Sequence, residues 1–228
     1  MRILALETTE LAGGVAAAID GKALQCIRLD PRQRSAQSLA PAVKAVLEKT
    51  QWRPADVQLV AVTRGPGSFT GLRVGVATAK IFAYAVGAEV LGVDTLEVIA
   101  AAAPAEVEAV SAAVDAQRGD VVAATFRRNR EGRLEPAGPA RLTPIDDWLS
   151  ALPPGMIVTG PVLKKLAGPL PPGIENLDPA LWAPTAENVA RVAFQHYQAG
   201  RRDDLWQLVP IYSRRSAAEE KAEKKNER

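Results

Sequence analysis

Apolar and polar positions along the chain fall into short blocks whose spacing predicts the secondary structure. Arg2 to Glu7, Gly14 to Ile19 and Ala23 to Leu29 are apolar runs of strand length, and Asp20-Gly21 lies between the last two as a hairpin turn. The chain therefore opens as a three-stranded meander. Leu39, Ala40, Val43, Val46 and Leu47 recur at helical spacing, which predicts a helix capped by Ser35, kinked at Pro41 and ending near Lys49. Beyond a loop at Pro54, Val57 to Thr63 predicts a buried strand. Gly65 to Gly71 follows as a glycine-rich loop, and then a helix runs to about Val86.

Glu89 to Val93 predicts a short strand and Thr95 to Ala103 a helical segment, after which the opening pattern returns. Val110 to Asp115 and Val121 to Phe126 are strand-like, with Gln117 to Asp120 as the turn between them. Glu7 before one polar, glycine-containing turn matches Asp115 before the other, which points to a structural duplication. Only four of the 17 prolines lie in the first 100 residues, so the second half is expected to be looser. Glu135 to Pro144, Pro153-Pro154 and Pro169 to Gly173 read as loops around short elements at Asp146 to Leu152 and Met156 to Thr159. Thr185 to Gly200 predicts an amphipathic helix through Val189, Ala190, Val192, Ala193 and Tyr197.

Composition narrows the function classes. A chain of 228 residues makes one large domain or two small ones, and 47% hydrophobic with 24% charged residues is globular. The net charge of +2 equals that of Ser213 to Arg228 alone, so the body is neutral and shows no basic face for nucleic acid. Cys26 has no second cysteine to pair with and no basic, apolar leader opens the chain, which makes the cytoplasm the expected compartment. The most apolar stretch, Val74 to Val93, is broken by Lys80 and Glu89, and no membrane span is expected. One histidine, His196, leaves too few ligands for a His/Cys zinc site. Its place near a helix C-terminus favours an imidazole by the helix dipole, a reading that stands ahead of catalysis.

The chemistry-bearing stretch is Arg64-Gly65-Pro66-Gly67-Ser68-Phe69-Thr70-Gly71-Leu72-Arg73-Val74-Gly75. It departs from a P-loop, because Leu72 follows Gly71 where lysine is required, and from the dinucleotide pattern, because Thr70 takes the third glycine place. Nor is it a nucleophile elbow, since Pro66 stands two residues before Ser68. Two readings stay open: a loop whose amides hold an anion, or a turn with Ser68 or Thr70 capping the next helix. In that helix Gly71, Gly75, Ala79 and Ala83 form a stripe of small side chains, while Leu72, Val76, Ile81, Phe82, Tyr84 and Val86 cover most of the rest. A helix apolar nearly all round is buried either within its own chain or partly against a partner.

The run Gly65 to Lys80 resembles the signature of the TsaB (YeaZ) family, needed for threonylcarbamoyladenosine in transfer RNA. Ile3 to Thr8, Val93 to Glu97, Val114 to Val121 and Pro210 to Arg214 extend the resemblance over most of the chain. It implies a duplicated actin-like ATPase fold of the sugar kinase and actin superfamily, α/β, with two βββαβα-type subdomains of which the second is abbreviated. The expected division is 1–103, 104–212 and a charged flexible tail, 213–228. The resemblance implies a non-catalytic subunit that heterodimerises with the larger paralogue TsaD, which binds metal and nucleotide. The ATPase TsaE joins the machinery, the chain self-associates when TsaD is absent, and tRNA is met only through the complex.

In the family the helices matching Ser35 to Lys49 and Thr70 to Val86 build the interfaces. This places Leu39, Val43, Val46, Leu47, Gly71, Leu72, Gly75, Val76, Ala79, Lys80 and Ala83 at the partner contact, with Gly65, Pro66, Gly67, Ser68, Phe69 and Thr70 as the structural loop. No intrinsic cofactor is implied, although ATP or ADP fits an interface of the complex. Glu7 and Arg34 stand where the family often has Asp and His. Glu7, Thr8 and Asp115 occupy the places that hold metal and phosphates in catalytic relatives of the fold, which keeps an independent ATPase or phosphotransferase as the alternative.

Overall fold

The computed structural model describes residues 1–33, 35–166 and 168–214. Arg34, the side chain of Ser35 expected to cap the first helix, and the tail from residue 215 lie outside the described residues. The first half holds β1 (Arg2–Glu7), β2 (Gly14–Ile19), β3 (Lys22–Arg28), α1 (Ser35–Thr50), β4 (Leu59–Gly65), α2 (Phe69–Val86), β5 (Glu89–Asp94) and α3 (Thr95–Ala100). The second holds β6 (Ala109–Asp115), β7 (Asp120–Arg128), β8 (Leu134–Pro136), β9 (Arg141–Pro144), α4 (Ile145–Ser150), β10 (Ile157–Thr159), β11 (Glu175–Asn176) and α5 (Ala186–Gln198).

Two sheets carry the duplication. The first is ordered β3-β2-β1-β4-β5 and the second β8-β7-β6-β10-β11, with β9 also pairing β7. In each, an antiparallel hairpin stands beside a parallel strand: β1 pairs antiparallel with β2 and parallel with β4, as β6 does with β7 and β10. The β2–β3 and β6–β7 turns use left-handed backbone. Asp20 and Gly21 have φ of 49° and 75°, the pair a type I′ turn demands. Gln117, Arg118 and Gly119 lie at 64°, 59° and 83° in the β6–β7 turn.

Strands β1, β2, β4 and β5 of the first sheet are buried on both faces, which explains why they are apolar runs rather than alternating ones, while the edge strand β3 is exposed. Leu4, Leu6, Val60 and Val62 pack toward α1 and α2, and Ile3, Ala5, Leu59 and Ala61 toward α5. By sequence α5 follows the second sheet, yet it returns to cover the first, seating Val189, Ala190, Val192 and Ala193 there. His196 in its last turn meets Glu97 of α3 with Nε2 2.9 Å from Oε2, which anchors the returning helix. The α1 helix runs unbroken across Pro41. Strands β8, β9 and β11, two to four residues each, lie within or beside segments whose prolines suggested loops.

Candidate functional site

The glycine-rich loop folds as a turn that starts a helix. Gly65 ends β4, and Ser68 caps α2, its hydroxyl accepting from the Gly71 amide at 3.2 Å. Thr8 at the end of β1 donates from Oγ1 to the Gly71 carbonyl at 2.8 Å. This contact requires glycine at the two positions of α2 that face Thr8. A Cβ on Gly71 would stand 1.8 Å from the Thr8 carbonyl oxygen, and one on Gly75 would stand 2.2 Å from Thr8 Oγ1. The small-residue stripe is thus the close approach of α2 to its own sheet.

That packing buries most of the residues expected at the partner contact within the chain itself. Leu39, Val43, Val46, Leu47, Leu72, Val76, Ala79 and Ala83 are each at most 6% exposed, and Gly71 and Gly75 are buried with them. Lys80 is also engaged within the chain, donating to the Trp206 and Leu208 carbonyls at 3.0 and 3.1 Å. By length and mean hydropathy, 1.2, α2 matches a membrane-spanning segment, but its inner stripe is spent on β1 and β4. On the opposite side of the helix Arg73, Ala77, Ile81 and Tyr84 face outward.

Residues 201–214 run alongside and widen that outer side. The segment is pinned to β5, with the Gly92 amide donating to Asp203 Oδ2 at 2.9 Å and Arg201 Nη2 donating to the Gly92 carbonyl at 2.7 Å. Further on, Leu208 is buried in the core and the Ile211 amide donates to the Arg64 carbonyl at 2.6 Å. Trp206 meets Tyr84 edge to face at 5.6 Å between centroids, and Tyr212 stacks on Phe69 at 4.6 Å. Ile81, Tyr84, Trp206 and Val209 are 70, 69, 67 and 59% exposed. Sequence reasoning missed this strap: Pro210 to Arg214 stood out only as part of the family resemblance, and Trp206 carries no periodic signal.

A second feature is a cleft of about 670 Å³ where the two hairpin turns face each other. Thr8, Thr9 and Glu10 line it from the first sheet, Gly67 to Thr70 from the α2 loop, Asp115 to Arg118 from the second sheet, and Lys165 and Arg214 from flanking segments. The structure brings Thr8 and Asp115 to this cleft but leaves Glu7 behind it. Glu7 is fully buried, its Oε1 accepting from the Thr9 amide at 2.7 Å, the Thr9 hydroxyl at 2.5 Å and the Thr63 hydroxyl at 3.4 Å. Its Oε2 has no hydrogen-bond partner. Burial pushes its carboxyl up to about 7, against the pull of the Thr9 hydrogen bonds. Held by Thr9 and Thr63, the carboxyl braces its own turn.

The cleft does not fit a divalent ion with a nucleotide as it stands. Asp115 is in an ion pair with Lys165, Nζ to Oδ2 2.5 Å, and Asp120 with Arg214. The Lys165 ammonium thus sits where a cation would, and Glu7 turns its accepting oxygen to Thr9. Glu10, the remaining carboxyl, is raised by burial and by Asp115 while Lys164 and Lys165 lower it.

Comparison with known proteins bears on the family and the fold. Residues 31–200 match the family model described as TsaD, tRNA N6-adenosine threonylcarbamoyltransferase. The tRNA threonylcarbamoyladenosine biosynthesis protein TsaB of Escherichia coli is 30% identical over 229 residues, 96% of each chain. YeaZ from Pseudomonas aeruginosa superposes with a TM-score of 0.76 at 29% identity, covering 92% of this chain and 99% of that one. The (R)-2-hydroxyglutaryl-CoA dehydratase component A of Acidaminococcus fermentans, at 12% identity and TM-score 0.51 over 88% of this chain and all of its own, shares the actin-like fold alone.

Proposed function

The chain belongs to the TsaB family of tRNA threonylcarbamoyladenosine biosynthesis proteins, and from that premise we propose that it serves the modification as a non-catalytic subunit that binds and activates TsaD. The target is the tRNA adenosine beside the anticodon. The observation that carries the reading is the outward apolar surface of α2 and the strap, centred on Ile81, Tyr84, Trp206 and Val209. Exposed aromatic and aliphatic side chains held in contact form the kind of anchor that a partner desolvates. The same surface serves self-association when TsaD is absent, and tRNA and TsaE are engaged through the complex. ATP or ADP is held by the assembled complex, a reading supported by the closed set of ion pairs in this chain's own cleft.

The test is a substitution on the outer face. Ile81→Asp leaves the buried stripe untouched and is expected to weaken TsaD binding by more than about tenfold, because it places a charge in a desolvated contact. Unchanged affinity, measured by calorimetry on a variant whose thermal unfolding matches the parent, would remove this face from the interface.

A further inference from the structure

Away from the cleft and the α2 face, a smaller cavity of about 260 Å³ opens among α3, the β7–β8 hairpin and α5. Arg128, Arg133 and Arg191 all line it, with Glu97 and Gln195. Arg128 is fixed in place. Its Nε donates to the Val107 carbonyl at 3.0 Å, Nη1 to Gly132 at 2.7 Å and Nη2 to Pro104 at 2.7 Å, so it cannot swing away from the other two. Arg191 is steadied by Asn188 Oδ1 at 2.9 Å and by the Ala101 carbonyl. Among the described residues neither Arg128 nor Arg191 has a carboxylate within ion-pair distance, whereas Arg133 pairs with Glu131. Glu97 faces the same space, but its Oε2 is engaged by His196.

The arrangement works against itself electrostatically. The Arg191 guanidinium is held below its ordinary value, first by loss of solvent and then by the like charge of Arg128. Ala101, Ala103, Leu134 and Val192 supply apolar walls, which weaken the screening of that repulsion. Three arginines and one carboxylate line the cavity, and Glu131 pairs with Arg133 from beside it, which leaves a surplus of one positive charge. A phosphate group offers the opposite charge and several acceptor oxygens to guanidinium forks.

We propose that this cavity is a binding site for the phosphate group of a small molecule. Its volume lies below the roughly 300–1,000 Å³ of pockets that take drug-sized ligands, so it suits a phosphate with a short organic group or pyrophosphate. Arg128 supplies the fixed charge, Arg191 and Arg133 the forks that close on the oxygens, and Gln195 an uncharged donor.

The test is a titration of the full chain, labelled with ¹⁵N, with sodium pyrophosphate and with sodium phosphate, against sodium chloride of equal ionic strength. Saturable amide shifts at Gly132, Arg133 and Gln195 are expected, and their midpoint should weaken about tenfold in Arg191→Gln and recover part of the loss in Arg191→Lys. Where a variant unfolds, the pattern of shifts in the parent chain decides alone. Shifts confined to Ser68, Thr70 and Gln117 in the larger cleft, or none beyond the chloride control, would overturn the site. So would binding of an anticodon stem-loop RNA in the absence of any pyrophosphate response.

Discussion

Replacing Glu7 by glutamine should flatten the pH dependence of stability. The carboxyl has an ordinary value of 4.5 and is pushed up to about 7 by burial in the fold. A value raised by folding means the protonated form is the one the fold accommodates. The stabilisation is therefore complete below pH 4.5 and is lost as pH rises through 7. At 1.36 kcal/mol for each pKa unit, the loss between pH 4 and pH 8 is about 3 kcal/mol, or roughly 6–12 °C in Tm for a chain of this size. Glutamine keeps the accepting oxygen that Thr9 and Thr63 use and places a neutral amide at the position of Oε2. Urea unfolding at pH 5, 6, 7 and 8 should thus show the difference between parent and Glu7→Gln growing in favour of the variant from pH 5 to pH 7 and levelling off above it. Asp94, also raised by burial, acts with the same sign in both proteins and cancels in the difference. Parallel curves for the two proteins across this range would refute the assignment of a neutral, buried Glu7.

The other predictions concern packing and the cleft. Gly75→Ala should cost about 1–3 kcal/mol by forcing a methyl against Thr8 Oγ1, and Thr8→Ala should recover part of that loss in the double variant. Gly71→Ala should be at least as costly and show no such recovery, because it meets the Thr8 backbone; chemical denaturation of the four proteins separates the cases. Lys165→Ala should change stability by less than about 1 kcal/mol, since the ion pair with Asp115 is largely solvent-facing; a larger loss in the same assay would show the pair to be structural.

Most of the element pattern was legible because the inner strands of the first sheet are buried on both faces. Ile3 to Leu6, Val15 to Ala18 and Leu59 to Val62 are apolar without interruption for that reason, and Asp20-Gly21 marks its turn by backbone chemistry. Strands β8 and β9 were not legible. They are short edge strands that form only by pairing with β7, between prolines that read locally as loop. The candidate site was half legible. Gly71 and Gly75 identified a close approach by their size, but size cannot tell whether the approaching surface is a partner or the chain's own Thr8. Glu7 shows the same ambiguity. An acidic residue at a strand end reads as a ligand for a cation until Thr9 and Thr63 are seen to hold it.

The most direct measurement is nucleoside analysis of tRNA incubated with ATP, threonine, bicarbonate, the threonylcarbamoyl-adenylate synthase, TsaD and TsaE, with and without this chain. A non-catalytic, activating subunit predicts threonylcarbamoyladenosine only when the chain is present, at undiminished levels with Asp115→Asn and with Glu7→Gln, and sharply reduced with Ile81→Asp. Equal modification in the absence of the chain, or its loss in a stably folded Asp115→Asn variant that still binds TsaD, would contradict the account.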